Sequence, residues 1–298
     1  MLALGSGAVA AVAAAGITAF ELVDHGVLPG KAELDSLDGA CSVPSPALIY
    51  QPPGPALEAA FYSAARNRTV GYTIAYPPGY RPADNRNDLP LVIMLHGYGG
   101  NHTNALVGMS PAQAVAIKAD NRPLAPMALA TVDGGNGYWT PHPGDDPMAM
   151  VVNEFIPLCQ RLGLGREPQP IATMGISMGG YGALLLAEKY PDLIHAVAAI
   201  SPAIWTSYAQ ARAANPTAYA SAAAFAANDA VTHAAALARH PVRVASAYDD
   251  PFYPGVQVLA KALPPNAVVH TAPGCHTNPF FLAQEPPSLA FLAAHLTR

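Results

Sequence analysis

Two patterns of hydrophobic and polar positions alternate along most of this chain. Short apolar runs recur at 89–95 (LPLVIML), 127–132 (MALATV), 171–176 (IATMGI), 196–200 (AVAAI), 242–247 (VRVASA) and 267–271 (AVVHT). Runs of this length with little internal alternation fit strands of a parallel sheet buried on both faces. The segment 69–76 (TVGYTIAY) alternates β-formers instead and stops at Pro77-Pro78-Gly79, which cannot continue a ladder. Helical spacing occupies 148–162 and 180–189 between the runs. Strand alternating with helix predicts a doubly wound, mostly parallel α/β sheet with right-handed crossovers.

The rhythm breaks at 201–240, some forty Ala-rich residues with Pro216 in the middle. This reads as a small helical insertion. Placed after a strand's carboxyl end, it is expected to lie over the site as a lid, the competing reading being an ordinary pair of packing helices. The other end of the chain differs in kind. MLALGSGAVAAVAAAGITAF carries no charge, and the first basic residue is Lys31. Residues 1–42 are therefore read as an export signal or membrane anchor with its linker, and 43–298 as one α/β domain. A buried core helix is the competing reading of the first twenty residues.

Composition narrows the function. Half of the residues are hydrophobic, enough for a full core, while 12% are charged, the net charge is −5 and no run of Lys or Arg occurs. That charge pattern excludes a nucleic-acid partner. Cys41, Cys159 and Cys275 lie more than a hundred residues apart and fit no metal-ligand spacing. In an exported protein one pair could be oxidised, and Cys275 would then pin the loop beside it; three buried thiols are the alternative. No cofactor is expected.

The candidate chemistry sits where strands end. Gly175-Ile176-Ser177-Met178-Gly179 matches G-x-S-x-G between a buried strand and a helix, the context of a nucleophile on a sharp turn. The helix starting there aims its unpaired amides at developing negative charge. Of the two oxyanion donors that acyl transfer needs, the Met178 amide is one. The loop His96-Gly97-Tyr98-Gly99-Gly100 offers the Tyr98 amide as the other, with His96 bracing the loop. An acid and a base must follow in the order Asp, His. The turn Tyr248-Asp249-Asp250-Pro251 supplies Asp250, with Asp249 as the alternate, and Pro273-Gly274-Cys275-His276 supplies His276. His270 falls within its strand and is expected to point into packing. His102, His142, His195, His233, His240 and His295 have no partner pattern. Tyr98, Tyr138, Trp139, Trp205, Phe252, Tyr253, Phe280 and Phe281 all fall on loops at strand ends, an aromatic rim in which Tyr138, Trp139, Trp205 and Phe252 are nominated to contact substrate.

With these residues assembled, the chain resembles the esterase D-like family of α/β-hydrolases, which includes S-formylglutathione hydrolases, feruloyl esterases and mycobacterial mycolyltransferases. GISMGGYGALLLA (175–187), LHGYGG (95–100), YTIAYPPGY (72–80), YDDPFYP (248–254) and PGCHTNPFF (273–281) carry the likeness. The resemblance implies a triad of Ser177, Asp250 and His276, oxyanion donors Tyr98 and Met178, and a small-molecule, lipid or glycan ester as substrate. The N-terminal segment and the Ala-rich stretch further resemble exported actinobacterial members of the group; the segment itself leaves a cleaved form and a membrane-associated, anchored form both open. Formylglutathione hydrolases carry a different oxyanion loop, and mycolyltransferases use glutamate where this chain has Asp250. Hydrolysis is therefore expected, with acyl transfer to a sugar hydroxyl as the alternative and a binding protein on a hydrolase scaffold as a third reading.

Overall fold

The computed structural model describes residues 41, 43–44, 48, 51–81, 88–119 and 121–297. The signal or anchor expected within 1–42 lies outside the described residues, Cys41 excepted. Among the described residues no helix is long and apolar enough to cross a membrane.

Eight strands form one sheet: β1 (Ala56–Ser63), β2 (Arg68–Ala75), β3 (Leu91–Leu95), β4 (Ala128–Val132), β5 (Ile171–Ile176), β6 (Ile194–Ile200), β7 (Val242–Asp249) and β8 (Val268–Cys275). Their spatial order is β1-β2-β4-β3-β5-β6-β7-β8. β1 pairs antiparallel with β2, and β2 with β4; every other pairing is parallel. Every residue of β3, β4 and β5 is buried, as their unbroken apolar runs require. All the parallel strands therefore end on one edge, where the order reverses around β3.

Helices cover both faces and divide the core in two. One cluster lies between the sheet and α1 (147–161), α2 (Met178–Lys189) and the insertion; the other lies beneath the C-terminal helix. α1 opens at Pro147 behind the N-cap Asp146, whose carboxylate accepts from the Ala149 amide, and passes through a π-helical stretch Val151–Phe155. The insertion comprises α3 (Tyr208–Ala214), α4 (Ala222–Ala227), α5 (Ala230–His233) and a 3₁₀ stretch Ala234–Arg239. Ser207, Ser221 and Asp229 cap its three helices by accepting from first-turn amides. After α6 (Tyr253–Ala262) and β8 comes α7 (Asn278–Leu296), which sequence periodicity did not reveal. Pro286 and Pro287 sit inside it and remove two helix hydrogen bonds. Arg243 of β7 spans that break, donating to Gln284 Oε1 and Ser288 Oγ at 2.9 Å each.

Cys41 and Cys275 form a disulfide with Cα atoms 4.9 Å apart, and Cys159 is a buried free thiol. Of the two sequence readings, the oxidised pair holds. The expectation for His270 is corrected: β8 is the last strand of the sheet, and His270 is exposed there together with Val268 and Val269.

Glu188 of α2 is buried, and neither carboxyl oxygen has a hydrogen-bond partner among the described residues. Burial, reinforced by the nearby Asp229 carboxylate, pushes its pKa from 4.5 up to about 9. Between those values the folded chain keeps a proton that the unfolded chain has released, so stability falls as pH rises through that window. Thermal unfolding followed from pH 5 to pH 8 should show a declining Tm in the parent and a flatter curve in Glu188→Gln; parallel curves would remove Glu188 as the cause.

Candidate active site

Ser177 sits between β5 and α2 with φ 58° and ψ −121°, a conformation that L-residues rarely adopt and that costs on the order of 1–3 kcal/mol. The local backbone holds it there: its N–H donates to the Ile200 carbonyl, and its carbonyl accepts from Tyr181 and Ala203. The flanking glycines are a steric requirement. A Cβ on Gly175 would lie 2.1 Å from the Gly179 carbonyl oxygen, and one on Gly179 would lie 1.9 Å from the Leu95 carbonyl oxygen. So sharp a turn lets β5 run directly into α2, and it leaves the serine hydroxyl at the carboxyl edge of the sheet.

His276 follows β8 and reaches back across the sheet edge. Its Nε2 stands 2.8 Å from Ser177 Oγ, and its Nδ1 stands 2.8 Å from Asp250 Oδ2. The Asp250 side chain is fully buried, and its other oxygen accepts from the Phe252 amide at 2.8 Å. Asp249, one residue earlier, ends β7 in register with Cys275 and makes no side-chain hydrogen bond among the described residues. Of the two adjacent acids, the geometry joins only Asp250 to the imidazole. Phe252 and Phe281 meet the His276 ring edge-on, with centroids 5.1 and 5.0 Å away, and the disulfide fixes the preceding residue.

The glycine-rich loop after β3 faces this line of groups. Gly97 is close enough that a Cβ on it would lie 3.7 Å from Ser177 Cβ. Asn136 Oδ1 accepts from Gly99 N–H, and the Gly97 carbonyl accepts from Gly100 N–H. The Tyr98 amide is left without an acceptor among the described residues. Met178 opens α2, so its amide precedes any helix acceptor. His96 is fully buried beneath the loop: its Nδ1–H donates to the Gly97 carbonyl and its Nε2 accepts from Gly134 N–H. Burial lowers its pKa, which keeps the ring neutral and able to do both. Asp133 anchors the next stretch, accepting from the His102 amide and ring and from the Gly71 amide. Asn136 and Asp133 were missed in the sequence because each acts through the backbone of a distant loop, which carries no local pattern.

A cavity of about 560 Å³ opens over Ser177 and His276. Residues 97–100, the wall 104–108, Ile176, Asn278 and Phe281 enclose it. The aromatic rim is corrected accordingly: only Tyr98 and Phe281 of the eight line this cavity. Tyr138 and Trp139 are buried, in a turn where both have positive φ. The Trp139 ring fills the space over Gly134 and Gly182, where a Cβ would come within 2.1 and 2.6 Å of it. Phe280 is likewise core, while Trp205 packs on Phe252, behind His276. The lid expectation also fails. No insertion residue lines the cavity; Tyr219 packs tilted against Tyr138 and edge-on to Tyr181 instead, and the Asn228 carbonyl accepts from the Tyr181 hydroxyl.

A hydroxyl, an imidazole and a buried carboxylate in hydrogen-bonded line can carry a proton off oxygen. Comparison with known proteins agrees in kind. The family model described as "Putative esterase" matches residues 63–249, more than half of the chain. The chain belongs to this esterase family. Solved structures with the same fold include a ferulic acid esterase (TM-score 0.65, 18% identity, 84% of this chain and 100% of that one). An S-formylglutathione hydrolase from Agrobacterium tumefaciens gives a TM-score of 0.65 at 17% identity over 84% and 99% of the two chains. MPT51 (FbpC1) of Mycobacterium tuberculosis gives 0.59 at 15% over 82% and 100%. The fold is thus that of the α/β-hydrolases, and the esterase D-like resemblance holds. Among curated proteins, the mouse sn-1-specific diacylglycerol lipase ABHD11 is 34% identical over 128 residues, 42% of this chain. The match spans 38% of that relative's length.

The elbow predicts a sharp contrast between glycines. Gly179→Ala, which drives a Cβ into the Leu95 carbonyl, should cost at least about 3 kcal/mol in urea unfolding. Gly99→Ala has open space and only its positive φ (+75°) to oppose it, and should cost about 1 kcal/mol. Equal costs would contradict the packing described for the turn.

Proposed function

We propose that this chain hydrolyses carboxylic esters through an acyl-enzyme on Ser177, with His276 as general base and Asp250 orienting it. The observation that carries the reading is the unbroken line Ser177 Oγ, His276 Nε2, His276 Nδ1, Asp250 Oδ2, with 2.8 Å at each contact between side chains, at the floor of an open cavity. Ser177 Oγ attacks the ester carbon while its proton passes to His276 Nε2. The carbonyl oxygen becomes an oxyanion, for which the Tyr98 and Met178 amides are the proposed donors. Collapse expels the alcohol, which takes the proton from His276. Water then repeats the sequence on the acyl-enzyme, releasing the acid and restoring the hydroxyl. Asp250, buried and held by the Phe252 amide, keeps the Nδ1–H tautomer and stabilises the imidazolium.

The cavity supports a small or medium ester. Leu106, Val107, Ile176 and Phe281 give it apolar walls, and Asn104 and Asn278 add polar groups. Water is the proposed acceptor of the acyl group. Incubation with ester and trehalose tests this, since hydrolysis alone yields the free acid and alcohol and no acylated trehalose. Export through the N-terminal segment belongs to the same proposal and explains an oxidised Cys41–Cys275 pair.

Substitution of the adjacent acids tests the roles. Asp250→Asn should lower kcat on the order of 10⁴-fold, because the amide favours the wrong imidazole tautomer. Asp249→Asn, which touches no imidazole, should lose no more than about tenfold, well short of the loss from a triad acid. Steady-state kinetics on a p-nitrophenyl ester separates the two; the reverse ranking would move the acid to Asp249.

A further inference from the structure

One wall of the cavity is tied to the C-terminal helix by a buried carboxyl group, and the proposed hydrolysis makes no use of that group. Glu285 is fully buried in α7. Its Oε1 accepts from the Val107 amide at 2.6 Å, across 178 residues of sequence, and its Oε2 has no partner among the described residues. No cation pairs with it among the described residues. Val107 lies between Leu106 and Gly108, and all three line the cavity. One turn earlier on the same face of α7, Leu282 presses on Gly108, its Cδ1 3.2 Å from where a Cβ would stand; Gly108 has φ +74°. One turn before Glu285, Phe281 lines the cavity and meets the His276 ring. A single helix face thus carries the substrate wall and an edge of the base's environment.

Burying a carboxyl group with one oxygen orphaned is costly, and an apolar residue at 285 would fill the same space without that cost. What the carboxyl supplies is a fixed acceptor for an amide in a segment with no strand or helix of its own. Burial pushes its pKa up to about 8, so near neutrality it accepts as an uncharged acid and needs no counter-ion.

We propose that Glu285 is a positioning residue that fixes the 106–108 wall through the Val107 amide, and so sets the size of ester the cavity accepts. The proposal rests on the ester-hydrolase reading for its kinetic arm only. Contacts between wall and ester exist in both the bound substrate and the transition state, so loosening the wall raises KM and spares kcat.

The test compares the parent with Glu285→Gln, which keeps an oxygen acceptor, and Glu285→Leu, which keeps bulk and removes it. Glu285→Asp, which withdraws the acceptor by one methylene, stands in if the leucine variant does not fold. p-Nitrophenyl acetate and hexanoate, with ethyl and hexyl esters of one acid, probe both sides of the ester. In Glu285→Leu or Glu285→Asp, the long-to-short ratio of kcat/KM should change at least tenfold in one series, through KM. Glu285→Gln should restore the parent ratio. A merely structural role would lower kcat for all esters alike and leave the ratios unchanged, which overturns the proposal. Amide hydrogen exchange at Val107 is read alongside and needs no activity. It should quicken at least tenfold in the leucine or aspartate variant and stay at the parent rate in Glu285→Gln. Unchanged exchange also overturns the proposal, whereas an inactive parent with the expected exchange pattern sinks only the hydrolase reading.

Discussion

The site depends on one turn. Ser177 is held at φ 58° because β5 must pass into α2 with no intervening loop, and the passage exists only where the residues two before and two after the serine lack a Cβ. Once the turn is made, three consequences follow together. The hydroxyl stands at the carboxyl edge of the sheet, the first amide of α2 stands beside it, and the Gly97 loop from β3 can approach to van der Waals distance. The strain at the serine is small beside the burial of the strand and helix that it joins, both of which lie almost wholly inside the core.

The other participants reach this turn from separate parts of the chain, and each is fixed by something other than the serine. Asp250 is locked by burial and by the Phe252 amide. His276 lies between the disulfide at Cys275 and the start of α7, with aromatic rings against it. The glycine-rich loop after β3 is braced from beneath by a neutral His96 and from the side by Asn136. A hydrogen-bonded line assembled this way does not have to organise itself when substrate arrives, which is the condition under which fixed dipoles stabilise developing charge.

Much of this was legible in the sequence, for identifiable reasons. Strands buried on both faces leave unbroken apolar runs, so β3 to β7 could be read directly, and the glycine spacing around Ser177 states a steric rule. The Asp250 and His276 positions followed from chain order and from where strands stop. β1 and α7 escaped detection: β1 is half exposed at the sheet's edge, and α7 carries two prolines, stitched over by Arg243 of β7. The aromatic rim failed because position on a loop says nothing about direction. Tyr138 and Trp139 turn inward through positive φ, and one of the two glycines that make room for the Trp139 ring, Gly182, lies on α2, remote in sequence from it. The wall that does shape the cavity, 104–108, has no motif; its fixed points, Glu285 and Leu282, lie on a helix some 180 residues away.

Ser177, activated by His276, is the proposed nucleophile on which the site turns. Intact-protein mass spectrometry after treatment with a small fluorophosphonate, followed by peptide mapping, tests it most directly. One covalent adduct per chain is expected, on Ser177, absent from Ser177→Ala and strongly slowed in His276→Ala. No adduct on the folded parent, or an adduct that persists in Ser177→Ala, would contradict it.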